Sequence, residues 1–205
     1  MTRAEVAARL ALDETTLARL DVYAELLAKW QQKLNLIGPK TLPDLWQRHV
    51  LDSGQLHARL PPGARTLVDM GSGAGFPGLV LAIMGGPAVT LIEADQRKAA
   101  FLREAARLTD AAVEVRAERL ERTAKAPVDV VTARALAPLA ALLTWSEGFV
   151  AGATTCLFLK GAAVEGELTD AAAGWMMSVK RHASLSHAEG VVLELTDVRR
   201  RRPPA

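Results

Sequence analysis

Apolar positions recur at helical spacing over residues 14–34, where Leu17, Leu20, Tyr23, Ala24, Leu27, Trp30 and Leu34 share one face. Asp13 stands where the N-cap of that helix belongs. A second helix is predicted across LPDLWQRHVLDSGQL, with Pro43 in its first turn, and Gly38-Pro39 marks the turn between the two. Residues 1–60 therefore read as a helical segment without strands, and PPG at 61–63 as the link to residues 61–205. Beyond it the period alternates. Strands are predicted at 66–70, 88–94, 113–115, 128–133 and 154–161, with helices at 77–84, 96–108, near 118–124, 138–149 and across EGELTDAAAGWMM. Two further strands, VKRHASLSH and VVLELTDVRR, join tightly at AEG. The pattern predicts an α/β fold: a mostly parallel sheet covered on both faces, closed by an antiparallel C-terminal hairpin at one edge, with an N-terminal helical extension.

Composition narrows the class. A chain of 205 residues suffices for one large domain, or one domain with an extension. The longest apolar stretch, 78–84, is far too short to span a bilayer, and Glu5 interrupts the N-terminal apolar run, so neither a membrane span nor a signal peptide is expected. The single cysteine, Cys156, excludes an intramolecular disulfide and fits a reducing cytoplasm. A net charge of +2 supplies no overall basic field, so a polyanion has to meet a local patch.

The chemistry concentrates at LVDMGSGAGFPG, residues 67–78, the first strand-to-helix turn and so the expected ligand site of an open α/β sheet. Read from Gly73 it spells G-x-G-x-x-G, a dinucleotide turn; read from Asp69 it spells D-x-G-x-G-x-G. Glu93, at the end of the next strand, is placed to accept both hydroxyls of a ribose, which suits NAD or S-adenosyl-L-methionine. The dinucleotide reading requires the strand to run past Asp69 and Gly71, and it sets Asp69 beside a diphosphate. S-adenosyl-L-methionine brings an ammonium and a sulfonium, beside which a carboxylate is favourable. Glu118, just past the third strand, borders the adenine in such a fold. These features favour S-adenosyl-L-methionine, with Gly73 and Gly75 lining the same turn. The residues alone leave open a methyltransferase of small molecules or proteins, or a non-enzymatic nucleotide-binding regulator.

VDMGSGAGFPG, EADQRKAAFL, TARALAPL and LFLKG, with KLNLIGPKTLPDLWQRHVLDS upstream, resemble the RsmG family (glucose-inhibited division protein B) from about Tyr23 to Leu195. The resemblance implies a class I methyltransferase fold and methylation of N7 of a guanine in 16S rRNA, near the decoding site of the small ribosomal subunit. It further implies that Gly71 and Phe76 contact the cofactor, Ala117 and Glu118 the adenine, and that Arg134 lies near the transfer site. The matched RHVLDS stretch gives Arg48 and His49 an RNA or active-site role. Lys160, at the end of the fifth strand, reads either as a phosphate ligand or as a solvated lysine.

The remaining residues agree with that chemistry. No [N/D/S]-P-P-[Y/F] motif for exocyclic amines occurs, and Cys156, within TTCLFL, reads as a buried thiol rather than the nucleophile of a pyrimidine C5 enzyme. Guanine N7 has a free lone pair and loses no proton, so no general base is required. The histidines have no metal-like spacing and no metal site is expected. The tryptophans read as core on helical faces. Arg97, Lys98, Arg103, Lys180, Arg181 and Arg199–Arg202 are candidates for a basic RNA-binding patch.

Overall fold

The computed structural model describes residues 1–201. Its centre is a seven-stranded sheet of order β3-β2-β1-β4-β5-β7-β6. Strands β1 (Thr66–Met70), β2 (Ala88–Ile92), β3 (Val113–Arg116), β4 (Val130–Arg134) and β5 (Thr155–Lys160) pair in parallel, while β6 (Trp175–Ala183) and β7 (Val191–Arg200) form an antiparallel hairpin against β5. The central strands are buried on both faces because helices cover both. The strand order reverses at β1, which lies between β2 and β4, so a crevice opens beyond the carboxyl ends of β1 and β4.

Two apolar cores flank the sheet. On one face α1 (Arg3–Arg9) and α2 (Glu14–Gln31) pack with α4 (Gly78–Ile83) and α5 (Gln96–Thr109), burying Leu20, Tyr23, Leu27, Leu79 and Phe101. On the other, α6 (Leu139–Ser146) and α7 (Val164–Ala172) bury Leu139, Leu143, Phe158, Leu168 and Trp175. Each such side chain contributes about 1.5–3 kcal/mol of burial, and the first core joins the helices of residues 1–60 to the sheet itself. Capping sets the helix starts. Thr2 and Glu5 form a capping box on α1, Asp13 accepts the Thr16 amide at 2.6 Å, and Asp95 accepts the amides of Arg97 and Lys98.

The local departures from the sequence reading have identifiable causes. The predicted helix over 42–56 starts only at Leu45, after a 3₁₀ turn (Pro39–Thr41). It runs as a π-helix over Trp46–Leu51 before α3 (Asp52–Gly54), so Pro43 precedes the helix. A π-helical turn widens the local register and places Arg48, His49 and Asp52 against the sheet end. Residues 118–124 form turns rather than a helix. The helix expected through Met177 ends at Ala172, where Gly174 intervenes, and Trp175 opens β6 and turns into the second core. The strand expected through His187 ends at Ala183, because the Ser184 and Ser186 hydroxyls bond to each other and to Asp52, drawing the backbone out of the ladder. α1 falls within the segment read as helical, though its seven residues are too few for a period to set its bounds. No helix among the described residues is long and apolar enough to cross a membrane.

Candidate active site

The glycine turn leaves β1 at Met70 and climbs into α4. Gly71, Gly73 and Gly75 take φ of +65°, +57° and +98°, in the left-handed region. A Cβ at Gly73 meets nothing nearer than the Gly71 carbonyl, at 3.9 Å, so this position faces open space. A Cβ at Gly78 lies 2.6 Å from the Asp69 Cβ and from Leu91, so α4 packs on the sheet through that glycine. Glu93 braces the turn: one carboxylate oxygen accepts the Gly73 amide at 2.8 Å and the other accepts the Asp95 amide at 2.8 Å.

Over this turn lies a cavity of about 460 Å³. Gly71, Gly73, Phe76, Glu93, Glu118 and Arg134 are among the residues that line it. The structure thus brings together six of the nine residues singled out for the cofactor. Asp69, Gly75 and Ala117 do not line it. Gly75 is packed on Leu79, where a Cβ stands 2.8 Å from the Leu79 Cβ, and the Ala117 carbonyl accepts from Gln96. Asp69 lies fully buried beneath the turn, with Oδ1 accepting the Thr132 hydroxyl at 2.7 Å and Oδ2 without a hydrogen bond among the described residues. The carboxylate expected to face a ligand's ammonium is instead turned inward by the pleat and does not line the cavity. Leu120, Leu136 and Trp145 also line the cavity and were not singled out for it. They follow or face the carboxyl ends of strands, which was the only available signal, and Trp145 reads as core because its other face does pack there.

Burial pushes the Asp69 carboxyl up to about 6, the Thr132 hydroxyl offsetting it only in part. The folded chain thus keeps a proton that the unfolded carboxylate releases at ~3.9. Stability contributed by this group falls as pH rises from ~4 to ~6, by on the order of 2–3 kcal/mol. Asp69→Asn keeps the acceptor for Thr132 and removes the ionisation. Urea melts should show wild type losing that stability relative to the variant between acid and neutral pH, and parallel curves would contradict the shift.

A second cavity of about 590 Å³ adjoins the first, sharing Leu36, Arg134 and Ala135 with it. Arg134, at the end of β4, is the junction. Its guanidinium lies 4.7 Å from the centroid of the Phe76 ring and donates to His49 Nδ1 (2.9 Å), Asp52 Oδ2 (3.3 Å) and the Arg48 carbonyl (3.2 Å). His49 stacks on the same Phe76 ring at 5.0 Å, and its Nε2 pairs with the Thr41 hydroxyl at 2.8 Å. Thr41 donates its own proton to the Gly38 carbonyl, and Arg134 has only protons to offer, so His49 is the neutral Nε2–H tautomer. Burial, with the charges of Arg134 and Arg48, pushes its pKa down to about 3. Asp52 also accepts from Ser186 at 2.6 Å and from Gln55, tying the hairpin connection to the same cluster.

Exposed Arg48 borders the second cavity. Lys160 borders it too, but with only 9% of its side chain exposed: it pairs with Glu167 and donates to the Ala137 carbonyl at 2.9 Å. It is neither a solvated lysine nor a cation free for a phosphate. Cys156 is buried in β5, where burial pushes its thiol up to about 12. Of the tryptophans, Trp175 lies on a strand and only Trp30, Trp46 and Trp145 on helical elements. The C-terminal members of the expected basic patch are dispersed. Arg181 pairs with Glu165, Lys180 with Glu194 and Arg200 with Glu147. Because β7 runs antiparallel to β5, with Val191 opposite Lys160, Arg199 and Arg200 stand at the far end of the sheet from both cavities. Arg202 lies outside the described residues. No group of three metal-ligating side chains is gathered among the described residues.

Comparison with known proteins places this architecture. A glycopeptide N-methyltransferase, MtfA, solved with S-adenosyl-L-methionine, is similar with a TM-score of 0.60 at 11% identity, over 72% of this chain and 93% of that one. A ribosomal protein L11 methylase from Lactobacillus delbrueckii subsp. bulgaricus gives 0.59 at 15% identity, over 73% and 77%. The fold is that of the class I methyltransferases. The model of the GidB family, described as rRNA small subunit methyltransferase G, matches residues 16–196, and the chain belongs to that family. Ribosomal RNA small subunit methyltransferase G of Paramagnetospirillum magneticum is 53% identical over 198 residues, 97% of each chain. Its counterpart in Rhodospirillum rubrum is 50% identical over 98% of this chain and 100% of its own.

Proposed function

We propose that this chain transfers a methyl group from S-adenosyl-L-methionine to N7 of a guanine in small-subunit (16S) rRNA, in the cytoplasm, acting on the rRNA alone or within the small ribosomal subunit. The observation that carries the reading is the pair of adjoining cavities meeting at Arg134 in a chain of the rRNA small subunit methyltransferase G family. Residues 61–205 form the cofactor-binding domain in this reading, and residues 1–60 supply the wall on the substrate side.

The first cavity fits the cofactor: a cradle of positive-φ glycines lies open above Gly73, with a carboxylate at its rim. Gly71, Gly73 and Phe76 hold its middle, Glu93 its ribose and Glu118 its adenine. The bound cofactor supplies an electrophilic methyl on a sulfonium. The second cavity receives the target nucleotide, with Arg48 and His49 at its edge and Phe76, His49 and Arg134 forming a stacked floor between the two ligands. Asp52 pairs with Arg134 at 3.3 Å, which offsets the guanidinium charge that would otherwise face a sulfonium or the charged methylated ring. His49 does not act as a base, being bonded at both nitrogens with its pKa near 3. Attack by a neutral N7 lone pair needs only alignment and exclusion of water. Mass mapping of rRNA from cells with and without the gene tests the reading: one guanosine-containing fragment should lose a single methyl.

Two variants probe the roles. Glu93→Ala should weaken S-adenosyl-L-methionine binding on the order of 10–100-fold, from loss of charge-assisted hydrogen bonds. Part of that loss comes from releasing the Gly73 amide, so Glu93→Gln, which keeps one acceptor, should fall between. Calorimetry showing wild-type affinity in a folded Glu93→Ala protein would remove Glu93 from the site. Cys156→Ser should keep the wild-type transfer rate, with a stability cost of about 1–3 kcal/mol for a hydroxyl in an apolar strand. A folded but inactive serine variant would contradict the N7 chemistry.

A further inference from the structure

Beside the first cavity, between the end of α2 and the start of α5, runs a groove of about 440 Å³ lined by Lys29, Trp30, Lys33, Leu34 and Arg97. It holds three cations, an indole and no carboxylate. Lys29, Lys33 and Arg97 are exposed, and neither lysine enters an ion pair among the described residues. Arg97 reaches Asp95 only at 3.8 Å with 75% of its side chain exposed. Two lysines near the C-terminus of α2 suit the helix dipole and need no other reason. Arg97 and Lys98 do the opposite, since they occupy the first turn of α5, which carries no acidic residue beyond its cap. A cation placed against the dipole, beside an indole that packs on Phe101 at 5.6 Å yet stays partly exposed, is not accounted for by the fold.

The location says what. Lys98, next to Arg97, lines the first cavity, and Leu36, two residues beyond Leu34, lines both. Chain connectivity through Lys98 and Leu36 therefore sets the groove next to the cavity linings, and the start of α5 puts it at the carboxyl end of the sheet. Cations interleaved with an aromatic face match a single nucleic-acid strand, whose phosphates meet the charges and whose unpaired base stacks on the ring; a duplex keeps its base faces inside. We infer that this groove seats a single-stranded rRNA segment flanking the target nucleotide, with phosphates on Lys29, Lys33 and Arg97 and one base against Trp30. The inference rests on the rRNA substrate proposed above.

The test uses the full chain, naked small-subunit rRNA, assembled small subunits, and the triple variant Lys29→Gln/Lys33→Gln/Arg97→Gln, in which only exposed side chains change. KM for naked rRNA should rise about tenfold or more, and the slope of log affinity against log salt should fall by about 2, at ~0.7 per lost phosphate contact. The kcat and S-adenosyl-L-methionine affinity should stay at wild-type values. Trp30→Leu, checked for folding, should raise KM for rRNA without altering that slope. A triple variant with wild-type KM and slope overturns the groove while leaving the substrate reading intact. A triple variant impaired only on assembled subunits assigns the groove to a ribosomal protein and also overturns the inference. Wild type that neither binds nor methylates either substrate overturns the rRNA reading itself.

Discussion

Gly73→Val is expected to abolish cofactor binding in a protein that still folds, with at least ~100-fold loss of affinity, equivalent to about 2.7 kcal/mol. The backbone at Gly73 holds φ at +57°, which a β-branched residue resists at about 1–2 kcal/mol. The new side chain has room in the ligand-free fold, where a Cβ meets only the Gly71 carbonyl at 3.9 Å, so the clash falls on the ligand. The same substitution at Gly78 should instead unfold the chain, since its Cβ collides with Asp69 and Leu91 at 2.6 Å. Titration calorimetry with S-adenosyl-L-methionine, beside thermal melts of both variants, separates the two. Wild-type affinity in folded Gly73→Val would reduce the glycine turn to a packing device.

Arg134→Ala should lower kcat/KM for rRNA by about 100-fold or more, the scale of losing alignment of the reacting groups. Most of that should fall on kcat, because the guanidinium joins the two cavities and fixes Phe76, His49 and Asp52 relative to one another. Arg134→Lys should not rescue the rate. A lysine keeps the charge but not the planar fork that serves Nδ1, a carboxylate and a carbonyl together. Steady-state kinetics at saturating cofactor decides it, and a wild-type kcat in Arg134→Ala would take this residue out of the transfer step.

Much of this was legible in the residues. TLVDM marked β1 to the residue, and the alternation of strands and helices predicted both the parallel sheet and its closing hairpin, because each element buries a face with its own period. Gly71, Gly73, Phe76, Glu93, Glu118 and Arg134 converge as expected, since strand ends in one parallel sheet share one edge. What escaped depends on contacts distant in sequence. The π-helical turn that brings His49 and Asp52 under Arg134 has no local signature, and Ser186 reaches Asp52 across 134 residues. The inward turn of Asp69 follows from the register of β1 against β4, where Asp69 faces Thr132 directly. A motif places residues along the chain, whereas burial decides which of them a ligand can touch. Lys160 makes the same point: a lysine ending a strand looks solvated until Glu167 of the next helix covers it.

The atom that receives the methyl group is the centre of the account, and it has a direct chemical readout. Methylation at N7 leaves a fixed cation on the guanine and weakens its glycosidic bond. Small-subunit rRNA lacking the modification, incubated with the purified chain and S-adenosyl-L-methionine and then treated with borohydride and aniline, should break at one guanine and nowhere without enzyme. Methyl incorporation with no aniline-sensitive guanine would contradict the assignment to N7.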